Sequence, residues 1–143
     1  MVLPNLIAAI VLHIASALPV AATDEVAVIV HPGTNVTELQ PEDLMRLYLM
    51  EQTYWPDGTP VQLFDMQGQD TAKDVLYEAL GRQPRDLKRS WMRLILAGEA
   101  SSPKTVANAG AMVSGVAQTP GAIGYVAAAA VDDRVTVVAR LSR

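Results

Sequence analysis

The sequence predicts an α/β domain, a mixed sheet flanked by helices. Three observations predict it. Short apolar runs suited to buried strands alternate with longer segments whose apolar residues recur at helical spacing. Proline opens two of the helical segments and glycine closes two of them. Turn-forming clusters separate the segments, and no internal repeat or low-complexity linker divides the chain.

Taken in order, Glu25 to Val30 is a strand whose Val26 to Val30 form an unbroken apolar run, the pattern of a strand covered on both faces. His31-Pro32-Gly33-Thr34-Asn35 is a polar loop. Pro41 to Met50 is a helix, with Glu42 and Asp43 in its first turn and Leu44, Leu47 and Tyr48 at helical spacing. Trp55-Pro56-Asp57-Gly58 is a turn, and Val61 to Phe64 a second strand. Gly68 to Thr71 opens a helix with Asp70 as N-cap, a stripe of Val75, Leu76 and Leu80, and Gly81 as its stop. Pro84 starts the next helix, which carries Leu87, Trp91, Leu94 and Ile95 on one face and ends at Gly98. Arg85, Arg89 and Arg93 fall on another face and read as a solvated stripe. An Ala-rich helix is expected from Thr105 to Gln118, loosened by Gly110 and Gly115. Strands at Ile123 to Val126 and Val135 to Ala139 follow the Thr119-Pro120-Gly121 turn.

The first twenty-two residues read as an export signal. From Leu6 to Val20 the chain is uncharged and mostly Ala, Ile, Leu and Val, and Val20-Ala21-Ala22 offers small residues to a signal peptidase. The run is shorter than the roughly 20 residues of a membrane-spanning helix. No Lys or Arg precedes it, so an atypical signal, a start further upstream or an uncleaved tether are alternatives. Removing 22 of the 143 residues leaves 121, enough for one domain, periplasmic or secreted.

Composition excludes several classes. The formal charge of −4 argues against nucleic acid or an anionic membrane as the main partner. The chain contains no cysteine, so it has no disulfide framework, thiolate metal site, Cys nucleophile or lipid-anchored cysteine. Beyond the signal His31 is the only histidine, and no serine lies in a nucleophile-elbow context. There is no metal-ligand spacing, no P-loop and no dinucleotide fingerprint. Glu42-Asp43 and Asp132-Asp133 are sequence neighbours suited to caps and turns. The reading is a non-enzyme with no cofactor and no metal.

Two stretches remain as candidate ligand sites. Gly68, Gln69, Asp70 and Thr71 follow a strand and open a helix, where free backbone N–H groups favour anions. The commoner reading of this stretch is plain capping: Asp70 caps its own helix, and its carboxylate would compete with an anion. His31, Thr34 and Asn35 lie in a loop after a buried strand, a place where α/β ligands often bind, though a plain turn is the commoner explanation.

Several segments together resemble the phosphate-type periplasmic substrate-binding proteins of ABC transporters. They are residues 39–48, the Tyr54-Trp55-Pro56-Asp57-Gly58-Thr59-Pro60-Val61 turn, the Gly68 to Thr71 helix start, and Gly121-Ala122-Ile123-Gly124-Tyr125. The resemblance extends over most of residues 26–138. It implies one lobe of the type II binding-protein fold, where family members have two. It also implies a partner set: a small anion such as phosphate, a membrane transporter or a sensor protein. The family's phosphate loop has an Arg, then an Asp, then Gly-Ser-Gly-Thr. Here Asp65 stands at the arginine position, Gln67 at the acid, Gln69 at the serine and Asp70 at a glycine, so only Gly68 and Thr71 remain. Trading a bidentate arginine for two carboxylates replaces attraction of phosphate by repulsion. The expected function is an exported solute-binding-like protein with a degenerate anion loop. The alternative is a single-lobe interaction module, or a homodimer that rebuilds a cleft, without phosphate binding.

Overall fold

Strand β1, Val26–Val30, forms where the apolar run demands it, and all five of its residues are buried. The computed structural model describes residues 24–143; the export signal expected at the N-terminus lies outside them. After β1 come helix α1 (Pro41–Tyr48), β2 (Gln62–Met66), α2 (Thr71–Leu80), α3 (Pro84–Leu96), β3 (Lys104–Val106), α4 (Ala109–Gln118), β4 (Ala122–Ala127), a short 3-10 turn at Ala128–Ala130, and β5 (Thr136–Leu141).

The five strands form one sheet in the order β3-β2-β4-β1-β5. β2 runs parallel to both β3 and β4, whereas β1 runs antiparallel to β4 and β5, so the sheet is mixed, as expected. Side chains alternate across a strand, and this sorts the helices onto two faces. A Cβ on Gly124 would lie 2.6 Å from Met112 Sδ, and one on Gly115 would lie 2.5 Å from Phe64 Cε1. α4 therefore sits directly on the face of β4 and β2 that carries Gly124 and Phe64. Tyr125 and Asp65, one residue further along each strand, point to the other face, where α1 and α2 lie.

The helix boundaries follow local chemistry. Asp70 caps α2, and Gly81 ends it at φ 64°, a left-handed conformation that suits a residue without Cβ. Pro41 and Pro84 start α1 and α3. Trp55 is a core residue within its turn: it is buried, and its indole N–H donates to Gly121 O at 2.9 Å. That bond ties the entry of β2 to the entry of β4. Gly121 has φ 77°, and a Cβ there would come within 2.1 Å of Pro60 O.

Three expectations are corrected. The segment expected to start a helix at Thr105 is instead an edge strand, β3. Its residues pair with β2 in parallel register, and Asn108 caps the helix only at Ala109, accepting from Ala111 N–H at 2.9 Å. β-branched Thr105 and Val106 favour the strand. The second candidate strand runs on past Phe64 to Met66, which brings Asp65 into the sheet. Gly115 marks close packing on Phe64, where the sequence reading saw only a loosened helix.

Candidate functional site

Among the described residues no group of acids and histidines is placed to hold a metal ion, and no helix is long and apolar enough to cross a membrane. Chemistry concentrates at the C-terminal edge of β2. Asp65 is 2% exposed, a carboxylate inside the sheet. The Tyr125 hydroxyl donates to its Oδ1. The Tyr77 hydroxyl donates to its Oδ2 at 3.0 Å, and Lys73 Nζ stands 3.7 Å from the same oxygen. Tyr125 also accepts the Met66 N–H at 2.9 Å. Lys73, 6% exposed, donates to Met66 O at 2.8 Å and Gly68 O at 3.3 Å. Tyr48 meets Tyr125 edge-on at a centroid distance of 6.2 Å and donates to Phe64 O at 3.2 Å.

The elements place these groups by simple geometry. Lys73 and Tyr77 are four apart on α2, hence on one face of the helix. Asp65 and Tyr125 project from parallel neighbours β2 and β4 to the face that α2 covers. A buried charge requires pairing and hydrogen bonds, and here the carboxylate has both. Burial raises the pKa of Tyr48, Tyr77 and Tyr125 above the phenol range, and the Asp65 charge raises each further. The Tyr77 and Tyr125 hydroxyls therefore stay protonated and act as donors to the carboxylate. This arrangement holds a fixed internal anion.

The Gly68 to Thr71 loop leads from this cluster into α2. Gly68 takes φ 64°, and Gln69 and Thr71 are exposed. Asp70 Oδ1 accepts from Ala72 N–H at 2.8 Å and Lys73 N–H at 3.2 Å. Two of the N–H groups at this helix start, those of Ala72 and Lys73, already serve the chain's own carboxylate. A cleft of about 220 Å³ beside Asp65 and Gly68 is faced by Lys73 and Lys88, and Lys73 is committed to Met66, Gly68 and Asp65.

The second candidate stretch lies at the other end of the sheet. β1 is antiparallel to β4, which is parallel to β2, so His31, Thr34 and Asn35 follow the edge where β2 and β4 begin. Five strand residues at about 3.3 Å each separate that edge from the Gly68 loop by roughly 17 Å. The structure thus splits the candidate residues into two separate places. His31 Nδ1 accepts from Gly33 N–H at 2.9 Å, and Thr34 N–H donates to His31 O at 2.9 Å, so this loop is a self-bonded turn. Thr34 Oγ1 is buried without a hydrogen-bond partner, on a cavity of about 90 Å³. Asp57 lines the same cavity, and the Thr59 N–H holds its carboxyl below the usual range, so it stays ionised and repels anions. Asn35 is exposed.

The residues that sequence reasoning missed are Lys73 and Tyr77. Their signal was Asp65 itself: an acid between Phe64 and Met66 in an apolar strand calls for donors, and α2 offers them four residues apart.

No family model matches the chain, and no curated protein matches it. Solved structures do. A Clostridium perfringens protein described as a phosphate ABC transporter substrate-binding protein, solved with bound phosphate, superposes with TM-score 0.68 at 22% identity. That match covers 81% of this chain and 44% of the other. An ABC-type phosphate transport receptor from Vibrio cholerae gives TM-score 0.65 at 18% identity, over 81% of this chain and 46% of the receptor. PstS from Borrelia burgdorferi gives 0.58 at 14%, over 82% and 48%. The chain therefore spans less than half the length of the proteins it resembles, and at these identities the likeness is one of fold: a mixed sheet flanked by helices, similar to one lobe of a substrate-binding protein.

Proposed function

We propose that the chain is an exported binding-protein-type lobe, akin to the phosphate receptors, whose anion position is filled by its own carboxylates. In this reading it does not hold phosphate tightly, and it serves a transporter or sensor without that ligand. The observation that carries the proposal is the Asp65 network: at the position where resemblance implies a phosphate-gripping arginine, a buried carboxylate takes two tyrosine hydroxyls and a lysine.

Asp70 adds to the effect. A unit negative charge 4 Å from its carboxylate is opposed by about 4 kcal/mol at an effective dielectric of 20, which corresponds to roughly a thousandfold in affinity. A micromolar receptor of this design becomes millimolar or weaker. Calorimetric titration of the protein with inorganic phosphate at neutral pH tests the proposal. The expected outcome is no saturable heat below the millimolar range; a micromolar dissociation constant overturns it.

A further inference from the structure

The charge of the chain is divided unevenly. Residues 82–93 hold five of its eleven basic side chains, Arg82, Arg85, Lys88, Arg89 and Arg93, and one of its fifteen acids, Asp86. That stretch carries +4, and the rest of the chain carries −8. The pairing is uneven too. Arg46, Arg134, Arg140 and Arg143 all form ion pairs with Asp or Glu. Among the described residues none of the five bases in 82–93 has an acid within 4.0 Å or a side-chain hydrogen bond.

α3 presents most of these bases outward. Leu87 and Trp91 anchor the helix, and Trp91 N–H donates to Tyr48 O at 2.7 Å. Arg85, Arg89, Met92 and Leu96 recur at the spacing of one helical face, opposite that anchor. Met92 is 55% and Leu96 79% exposed, two of the three large apolar side chains left open to solvent among the described residues. Lys88 and Arg93 flank the stripe and are exposed as well.

We propose that this face of α3 docks an acidic protein surface with an apolar centre. The complement it lacks is negative charge around a small hydrophobic contact. Four of the five bases are arginines, whose planar forks pair bidentately with carboxylates. Arginine and methionine are enriched in protein interfaces and lysine is depleted. Two alternatives fit less well. A two-fold dimer through this face would set like charge against like charge. An interfacial membrane helix buries a broad apolar face with aromatic residues, whereas Trp91 points inward to the core.

The test uses a labelled synthetic helical peptide that presents glutamates on both sides of a leucine pair. Support requires that it bind at low salt, shift the backbone amide signals of residues 85–96, and weaken at least about tenfold at high salt. The double variant R85E/R89E, exposed on both counts and checked for folding by circular dichroism, loses at least about tenfold in affinity, while K104E does not. Three results overturn the proposal: no peptide binding, or binding indifferent to R85E/R89E; binding to phosphatidylglycerol vesicles in place of the peptide; and self-association that R85E/R89E abolishes.

Discussion

Tyr125→Phe removes one oxygen and breaks two bonds. Its hydroxyl donates to Asp65 Oδ1 and accepts the Met66 N–H. A hydrogen bond to a charged group contributes about 1.5–3 kcal/mol, and a buried amide left without an acceptor costs about 1–3 kcal/mol. The ring and its edge contact with Tyr48 remain, so no cavity larger than the oxygen opens. The expected loss is about 3–5 kcal/mol, a large part of the roughly 5–15 kcal/mol of a domain this size. Tyr77→Phe is the internal comparison: it removes a single bond to Asp65 Oδ2, where Lys73 still stands nearby, and its expected loss is about 1.5–3 kcal/mol. Urea unfolding followed by circular dichroism measures both, provided the slope against urea is unchanged. Refutation would come from Tyr125→Phe costing less than about 1 kcal/mol, or no more than Tyr77→Phe. Either result would mean that these hydroxyls do not hold a buried charge.

Two further outcomes follow from the same geometry and from the sheet entry. Tyr48, Tyr77 and Tyr125 have raised pKa values in the fold, so their contribution is fully present below the phenol value near 10 and is lost as pH rises above it. Three such groups give a slope of about 4 kcal/mol per pH unit above pH 10; urea midpoints across this range measure it, Tyr77→Phe should flatten it by about a third, and a level profile to about pH 11 excludes the network. Gly121→Ala places a Cβ 2.1 Å from Pro60 O at φ 77°, whereas Gly58→Ala at φ 89° meets nothing within 4 Å. The first should cost well over 2 kcal/mol and the second about 1 kcal/mol by thermal unfolding, since both carry backbone strain and only one carries a backbone clash.

Much of the fold was legible because its signals are local. The apolar run of β1, the prolines that open α1 and α3, and the Asp70 and Gly81 ends of α2 each state their role within a few residues. β3 was not legible, because three exposed or half-exposed residues become a strand only through pairing with β2. The candidate site was half legible. The capping role of Asp70 is local and was foreseen as one of two readings. The burial of Asp65 depends on where β2 ends and on Tyr125, sixty residues away, a pairing that periodicity does not encode. The distance between the His31 and Gly68 loops follows from strand direction, which a single sequence leaves open.

On the proposed reading, the loop residues that differ from the resembled phosphate loop are one exchange rather than separate losses. An arginine at the Asp65 position would need an anion in front of it; an aspartate there needs donors behind it. The face of β2 that Asp65 occupies supplies them from α2 and β4, and the lysine that balances the charge also binds the carbonyls of Met66 and Gly68. The loop carbonyls are thus held toward the core by Lys73, while the Ala72 and Lys73 N–H groups at the start of α2 are held by Asp70. On the proposed reading, building an anion grip here would require undoing both arrangements together. A single Asp70→Ser substitution removes repulsion yet leaves Asp65 buried with its partners, and on this reasoning it does not recover tight phosphate binding.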